Sequence, residues 1–294
     1  MNMDAYITDD ARGEGWHLML GDSCERLAEL EDRSVDLTVF SPPFASLFTY
    51  SPTPRDLGNS NTREEFIEHF AFVIDHLLRV LRPGRLACVH VQQLSTTKAT
   101  HGVIGLTDFR GQVIAAFQRA GFVFHGEVTV DKDPQAQAIR TKAHALMFQT
   151  LHRDSANTRP AMADYVLLFR APGENAVPVR SDVDNDTWIQ WARPVWYSIR
   201  ETDTLNYRSA REDADERHIA PLQLSLIERC VRLWSNRGEL VLSPFAGIGS
   251  EGYVALQQGR RFVGIELKAS YWRQAVENLR GLERQTTIDQ LGAA

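Results

Sequence analysis

The chain has 294 residues, 43% of them hydrophobic, and a formal net charge of −6. That content suffices for one large core, while no run approaches the roughly 20 apolar residues of a membrane span. The acidic start MNMDAYITDD lacks the basic-then-apolar order of a secretion signal, so a cytosolic (cytoplasmic) protein is expected.

Trp16–Leu20 reads as a strand ending at Gly21-Asp22, and the CERLAELE that follows has helical spacing. Val35–Phe40 is an almost continuous apolar run, as suits a strand buried on both faces of a parallel sheet, and it stops at Ser41-Pro42-Pro43-Phe44. A polar, turn-rich stretch from Ala45 to Thr62 precedes a predicted helix over Arg63–Arg82, capped by Asn61 or Thr62 and ended by Pro83-Gly84. Strands are predicted at Leu86–Val91, Phe122–Val130 and Tyr165–Phe169, with a helix over Thr107–Ala120. Ala171–Asp186 has the composition of a linker. From there to Arg217, Trp188, Trp191, Trp196 and Tyr197 mix with arginines and acids without a period, and most of these rings are expected in the core. Regular spacing resumes with a helix over Leu222–Ser235, a strand at Glu239–Leu242, a glycine loop, a helix over Glu251–Gln258, a strand at Arg261–Ile265 and a helix over Ser270–Arg280. Seven strands alternating with helices predict an α/β fold with a doubly wound, Rossmann-like sheet.

Cys24, Cys88 and Cys230 are widely spaced and odd in number, which predicts buried free thiols with no disulfide framework and no metal site. The acidic balance argues mildly against a nucleic-acid partner. Locally, however, Asp131–Pro160 gathers Lys132, Arg140, Lys142, Arg153 and Arg159 against three acids, which is compatible with one basic face.

Ser243-Pro244-Phe245-Ala246-Gly247-Ile248-Gly249-Ser250-Glu251-Gly252 joins a strand to a helix. Glycines there let the backbone approach a ligand closely, and the helix start offers free N–H groups. Glu266, after the next strand, is placed to accept the hydroxyls of a ribose. The pair indicates a nucleoside-containing cofactor, and Gly247-x-Gly249-x-x-Gly252 also fits a dinucleotide fingerprint, so an NAD-binding oxidoreductase is a rival on these residues alone.

Two successive prolines after a buried strand fix φ twice and remove two donors, leaving rigid carbonyl acceptors between the Ser41 hydroxyl and the Phe44 ring. An aromatic amine is a poor nucleophile because its lone pair is delocalised. Acceptors for its N–H groups at Ser41 and the Pro42 carbonyl favour attack on a methyl sulfonium, and Phe44 can stack on the base.

In this order the motifs resemble those of the β-class DNA amino-methyltransferases, where a (Ser/Asn/Asp)-Pro-Pro-aromatic motif comes first and an Asp-Pro-Phe-x-Gly-x-Gly-like loop last. The wording of Asp131–Ala138 and of Trp188–Gln223 is most similar to solitary prophage-type members. The resemblance implies a circularly permuted seven-stranded methyltransferase sheet: a catalytic half at 1–170, a target-recognition region at 171–217 and a cofactor half at 218–294. It implies S-adenosylmethionine as cofactor, held by Asp22, His218, Pro221, Ser243, Phe245, Gly247, Gly249, Ser250 and Glu266. Ser41, Pro42, Pro43 and Phe44 would be catalytic, Lys132 would lie near the flipped base, and Arg140 and Lys142 would touch DNA.

The implied partner is double-stranded DNA, and family habit suggests a homodimer. Ser243 departs from the usual Asp, so the cofactor ammonium group must be held partly by something else. Ser41 is familiar in cytosine-N4 enzymes and occurs in adenine-N6 enzymes; adenine N6 is the expected target. Among rivals, cytosine C5 methylation requires a Pro-Cys nucleophile that the chain lacks. Protein glutamine methyltransferases place the cofactor loop before the Pro-Pro motif. RNA or small-molecule amine methylation is a further alternative, and a non-catalytic DNA-binding module has no need of a ribose-holding acid.

Overall fold

The computed structural model describes residues 7–43, 62–96, 98–141, 146, 151–152, 154, 160–206 and 221–292. Along the chain come β1 (Asp9–Gly13), β2 (Trp16–Leu20), α1 (Ser23–Ala28), β3 (Val35–Phe40), α2 (Arg63–Val80), β4 (Leu81–Gln92) and β5 (Leu94–Thr96). Next are α3 (Lys98–His101), β6 (Gly105–Thr107), α4 (Phe109–Arg119), β7 (Val123–Val130), α5 (Pro134–Thr141), β8 (Asp164–Arg170), α6 (Asn185–Trp191) and β9 (Val195–Trp196). The chain then forms α7 (Leu224–Trp234), β10 (Leu240–Ser243), α8 (Ser250–Gln257), β11 (Arg261–Glu266) and α9 (Ala269–Gly292).

Among the described residues, nine strands form one mixed sheet in the order β1-β2-β11-β10-β3-β4-β8-β7-β9, and β5 and β6 make a separate antiparallel pair. The five strands from β2 to β4 in that order are parallel, whereas β8 runs antiparallel to both β4 and β7. β10, from the C-terminal part of the chain, therefore lies beside β3 from its beginning. All six residues of β3 are buried because helices cover both faces of the sheet. Side chains alternate between two cores: Phe40, Val89 and Val91 join Phe66, Phe70 and Phe117 on one side, while Leu37, Val39 and Cys88 join Ile227, Val231 and Val254 on the other.

Seven strands were expected, and the sheet has two more at its edges. β1 buries only one of its five residues and carries the sequence DDARG, so it has no apolar pattern to read; β9 has two residues. The expectation that most aromatic rings of the irregular stretch enter the core does not hold. Trp196 is fully buried, stacks on Trp234 at 6.0 Å and donates its indole N–H to the Trp191 carbonyl at 2.8 Å. Trp191 is half-buried, and Trp188 and Tyr197 stand out at 49% and 57% exposure. Their surroundings explain the split: α6 has no buried residue, whereas β9 is hydrogen-bonded beside β7 and carries Trp196 against α7.

In the linker after β8, one carboxylate gathers three arginines. Asp182 accepts from Arg232 at 3.0 Å, from Arg237 at 3.1 Å and from the fully buried Arg260 at 2.8 Å. Burial pushes its carboxyl up, but Arg260 and Arg232 outweigh that and hold it below its ordinary value. All three cysteines are free thiols; Cys88 and Cys230 are buried and Cys24 is half-buried.

Candidate active site

The loop from β10 to α8 turns at the carboxyl end of the parallel strands, where open α/β sheets bind ligands. Gly247 and Gly249 have φ of +52° and +84°, a left-handed backbone that strains any residue with a Cβ. A Cβ on Gly247 would point into open space beside the loop, whereas one on Gly249 would come within 3.1 Å of the Ala275 Cβ on α9. The loop is clamped from below by Ala246 N–H donating to the Ile265 carbonyl at 2.8 Å.

Glu266 closes this loop. Its Oε2 accepts from Gly247 N–H at 2.8 Å and its Oε1 from Lys268 N–H at 2.7 Å, so two backbone amides fix the carboxylate's direction. Its carbonyl accepts from Gly21 N–H at 2.9 Å, and the next residue, Asp22, caps α1 by accepting from Cys24 N–H at 2.8 Å. Ser23 Oγ then donates to the Pro244 carbonyl at 2.6 Å. Asp22, Ser243, Phe245, Gly247, Gly249, Ser250 and Glu266 thus come together at the carboxyl ends of β2, β10 and β11. Ser243 and Ser250 are 0% and 2% exposed, and their hydroxyls have no hydrogen-bond partner among the described residues. Burial pushes the neighbouring Glu251 carboxyl up to about 8, and the Glu266 charge adds to that shift.

The proline step lies beside this loop. β3 pairs with β10 through Val241–Leu37 and Leu242–Thr38, and Thr38 Oγ1 donates to the Leu242 carbonyl at 2.8 Å. Ser41, Pro42 and Pro43 continue β3 past Phe40, whose ring centroid lies 5.8 Å from that of Phe245 on the glycine loop. Phe70 packs on both rings, at 6.4 Å and 6.2 Å.

Ser41 also joins a buried polar chain that sequence reasoning missed. Its hydroxyl lies 3.2 Å from both the carbonyl and Nδ1 of His90 on β4. His90 Nε2 is 3.0 Å from Asp164 Oδ2 on β8, and Lys132 Nζ is 2.6 Å from the same oxygen. Burial pushes the Asp164 carboxyl up, yet His90 and Lys132 hold it below the usual carboxylate range. Both missed residues sit in apolar surroundings, His90 inside LACVHV and Asp164 just before YVLLF. A polar residue inside a buried strand was the signal.

Lys132, expected near the target base or DNA, has a side chain 2% exposed and ion-paired with Asp164. Pro221 is half-buried just before α7. Arg140 belongs to α5, but its side chain is outside what is described, and Phe44, Lys142 and His218 lie outside the described residues.

The DNA methylase family of the N6/N4 type matches residues 35–277. Among known relatives, the type II methyltransferase M.Cfr9I of Citrobacter freundii is 33% identical over 307 aligned positions, covering 95% of this chain and 92% of that protein. TTHA0409 of Thermus thermophilus, a candidate DNA modification methylase solved with S-adenosyl-L-methionine, superposes with a TM-score of 0.65 at 23% identity over 90% of this chain and 94% of that one. PvuII DNA methyltransferase, described as cytosine-N4-specific, does so with 0.65 at 19% identity over 90% and 86%. At these identities the two solved structures speak for the fold.

Proposed function

The chain belongs to the N6/N4 DNA methylase family, and from that premise we propose that it transfers a methyl group from S-adenosylmethionine to the exocyclic amino group of a base flipped out of double-stranded DNA. Adenine N6 is the preferred target. Ser41 as the first motif residue keeps cytosine N4 as a second reading.

One observation carries the proposal: the contact of Phe245 with Phe40, which sets the glycine loop beside the proline step. Family membership resolves the ambiguity of the glycine loop in favour of a methyl donor over a nicotinamide. The buried hydroxyls of Ser243 and Ser250 and the clear space at Gly247 fit such a donor. Glu266 would hold its ribose, Asp22 its adenine end, and the loop amides its amino-acid end. When bound, it supplies an electrophilic methyl group.

The chain's residues then orient the amine. Ser41 and the Pro42 carbonyl accept its N–H hydrogens, and Phe44 stacks on the base at about 1–3 kcal/mol, comparable to the few kcal/mol of unstacking. In this reading residues 1–170 and 218–294 are two halves of one permuted domain and 171–217 contributes target recognition. Its exposed Trp188 and Tyr197 suit a recognition surface. The test is incubation with radiolabelled S-adenosylmethionine and plasmid DNA. Label in DNA is expected, and label confined to protein or RNA would contradict the proposal.

A further inference from the structure

Ser41 must present lone pairs, not its proton, to a target amine. That requirement raises the question of what holds the hydroxyl's direction. The Asp164 carboxylate is 3% exposed and can only accept; its Oδ2 takes Lys132 at 2.6 Å and His90 Nε2 at 3.0 Å. The ring proton of a neutral His90 therefore sits on Nε2, and Nδ1 is left as an acceptor. Nδ1 lies 3.2 Å from Ser41 Oγ, and the His90 carbonyl, at the same distance, is also an acceptor. Whichever of the two receives it, the Ser41 proton is drawn into the protein.

Keeping this chain of groups buried is costly, because a lysine, a carboxylate and an imidazole are all withdrawn from water. Three separate parts of the chain deliver it: His90 comes from β4, Asp164 from β8, and Lys132 from the segment after β7. Glu201, 3.9 Å from Lys132, is the next carboxylate along. His90 points to the same face of β4 as the buried Cys88, where the neighbouring core is apolar.

We propose that His90 and Asp164, backed by Lys132, are positioning residues that lock the Ser41 hydroxyl as a hydrogen-bond acceptor for the target amino group. The inference rests on the catalytic place given to Ser41 above. It concerns the direction of one hydrogen bond and leaves the transfer step as written. Asp164→Asn is a conservative perturbation. Its amide oxygen must keep facing Lys132 Nζ and His90 Nε2, which both donate to Oδ2, but without the carboxylate charge it holds the Nε2 proton, and through it the direction of the Ser41 hydroxyl, less firmly.

The experiment is single-turnover methyl transfer to plasmid DNA by the full chain, with cofactor affinity measured beside it. Ser41→Ala should slow transfer by about 10²-fold and Asp164→Asn by about tenfold, while cofactor affinity stays near wild type in both. The double variant should be no slower than Ser41→Ala alone, because Asp164 acts through Ser41. His90→Asn, which keeps an acceptor near the Nδ1 position, should retain more rate than His90→Phe. Multiplying losses in the double variant, or equal rates for Asn and Phe at position 90, would overturn the inference. If Asp164→Asn does not fold, the pair at position 90 decides alone. A wild-type chain that labels no DNA at all would instead remove the proposed function itself.

Discussion

The rings of Phe40 and Phe245 lie 5.8 Å apart, centroid to centroid, in a cluster completed by Phe70. Phe40 is the last residue of β3 before the proline step, and Phe245 belongs to the glycine loop after β10. A contact between the two ends of the chain is thus also the contact between the two halves of the site. Phe245→Ala should cost about 1–3 kcal/mol of stability, less than a fully buried Phe because the ring is half-buried. It should also slow methyl transfer. Urea denaturation with parallel kinetics checks both, and an unchanged midpoint would show that the cluster does not join the halves energetically.

At the proline step, Pro43→Ala releases a fixed φ, and Phe44→Ala removes the proposed stacking platform. Each should reduce transfer by about 10²-fold or more with little change in cofactor affinity. Calorimetric titration with S-adenosylmethionine separates the two effects. A variant that lost cofactor binding altogether would mean the step belongs to the cofactor site.

Glu266 is held by two backbone amides and would accept the ribose hydroxyls. Hydrogen bonds to a charged group contribute about 1.5–3 kcal/mol, so Glu266→Ala should weaken cofactor binding by about ten- to a hundredfold. Wild-type affinity in this variant would place the cofactor elsewhere.

Glu251 gives a pH signature. Burial holds its carboxyl at about 8 in the folded chain against an ordinary 4.5, so the native state binds its proton more tightly than the unfolded state does. Its contribution is fully present below pH 4.5 and is lost as pH rises through 8. The urea midpoint should therefore fall between about pH 5 and pH 8 in the wild type, and Glu251→Gln should flatten that fall. Equal slopes in the two proteins would contradict the assignment.

Much of this arrangement was legible in the sequence because buried parallel strands announce themselves. Val35–Phe40 is found with the bounds read from its apolar run, and the Gly247 to Gly249 turn with Glu266 after the next strand is found where those residue types demand it. β4 begins at Leu81, before Pro83-Gly84, because Leu81 pairs with Val35 of β3 across a step that reads locally as a stop, with a register shift before Leu37–Leu86. β1 and β9 were illegible for the opposite reason: edge strands that each bury a single residue need no periodic pattern. His90 and Asp164 were legible only as polar residues in apolar runs; their connection to Ser41 was not, because it is made by the pairing of β4 with β3 and with β8.

The most direct measurement is nucleoside analysis of DNA digested after incubation with isotopically labelled S-adenosylmethionine, for the wild type and Pro43→Ala. The account predicts label on an exocyclic amino nitrogen, as N6-methyladenine or N4-methylcytosine, that forms slower by about 10²-fold or more in the variant. Label on cytosine C5, or amino-methylation at an undiminished rate without Pro43, would contradict it.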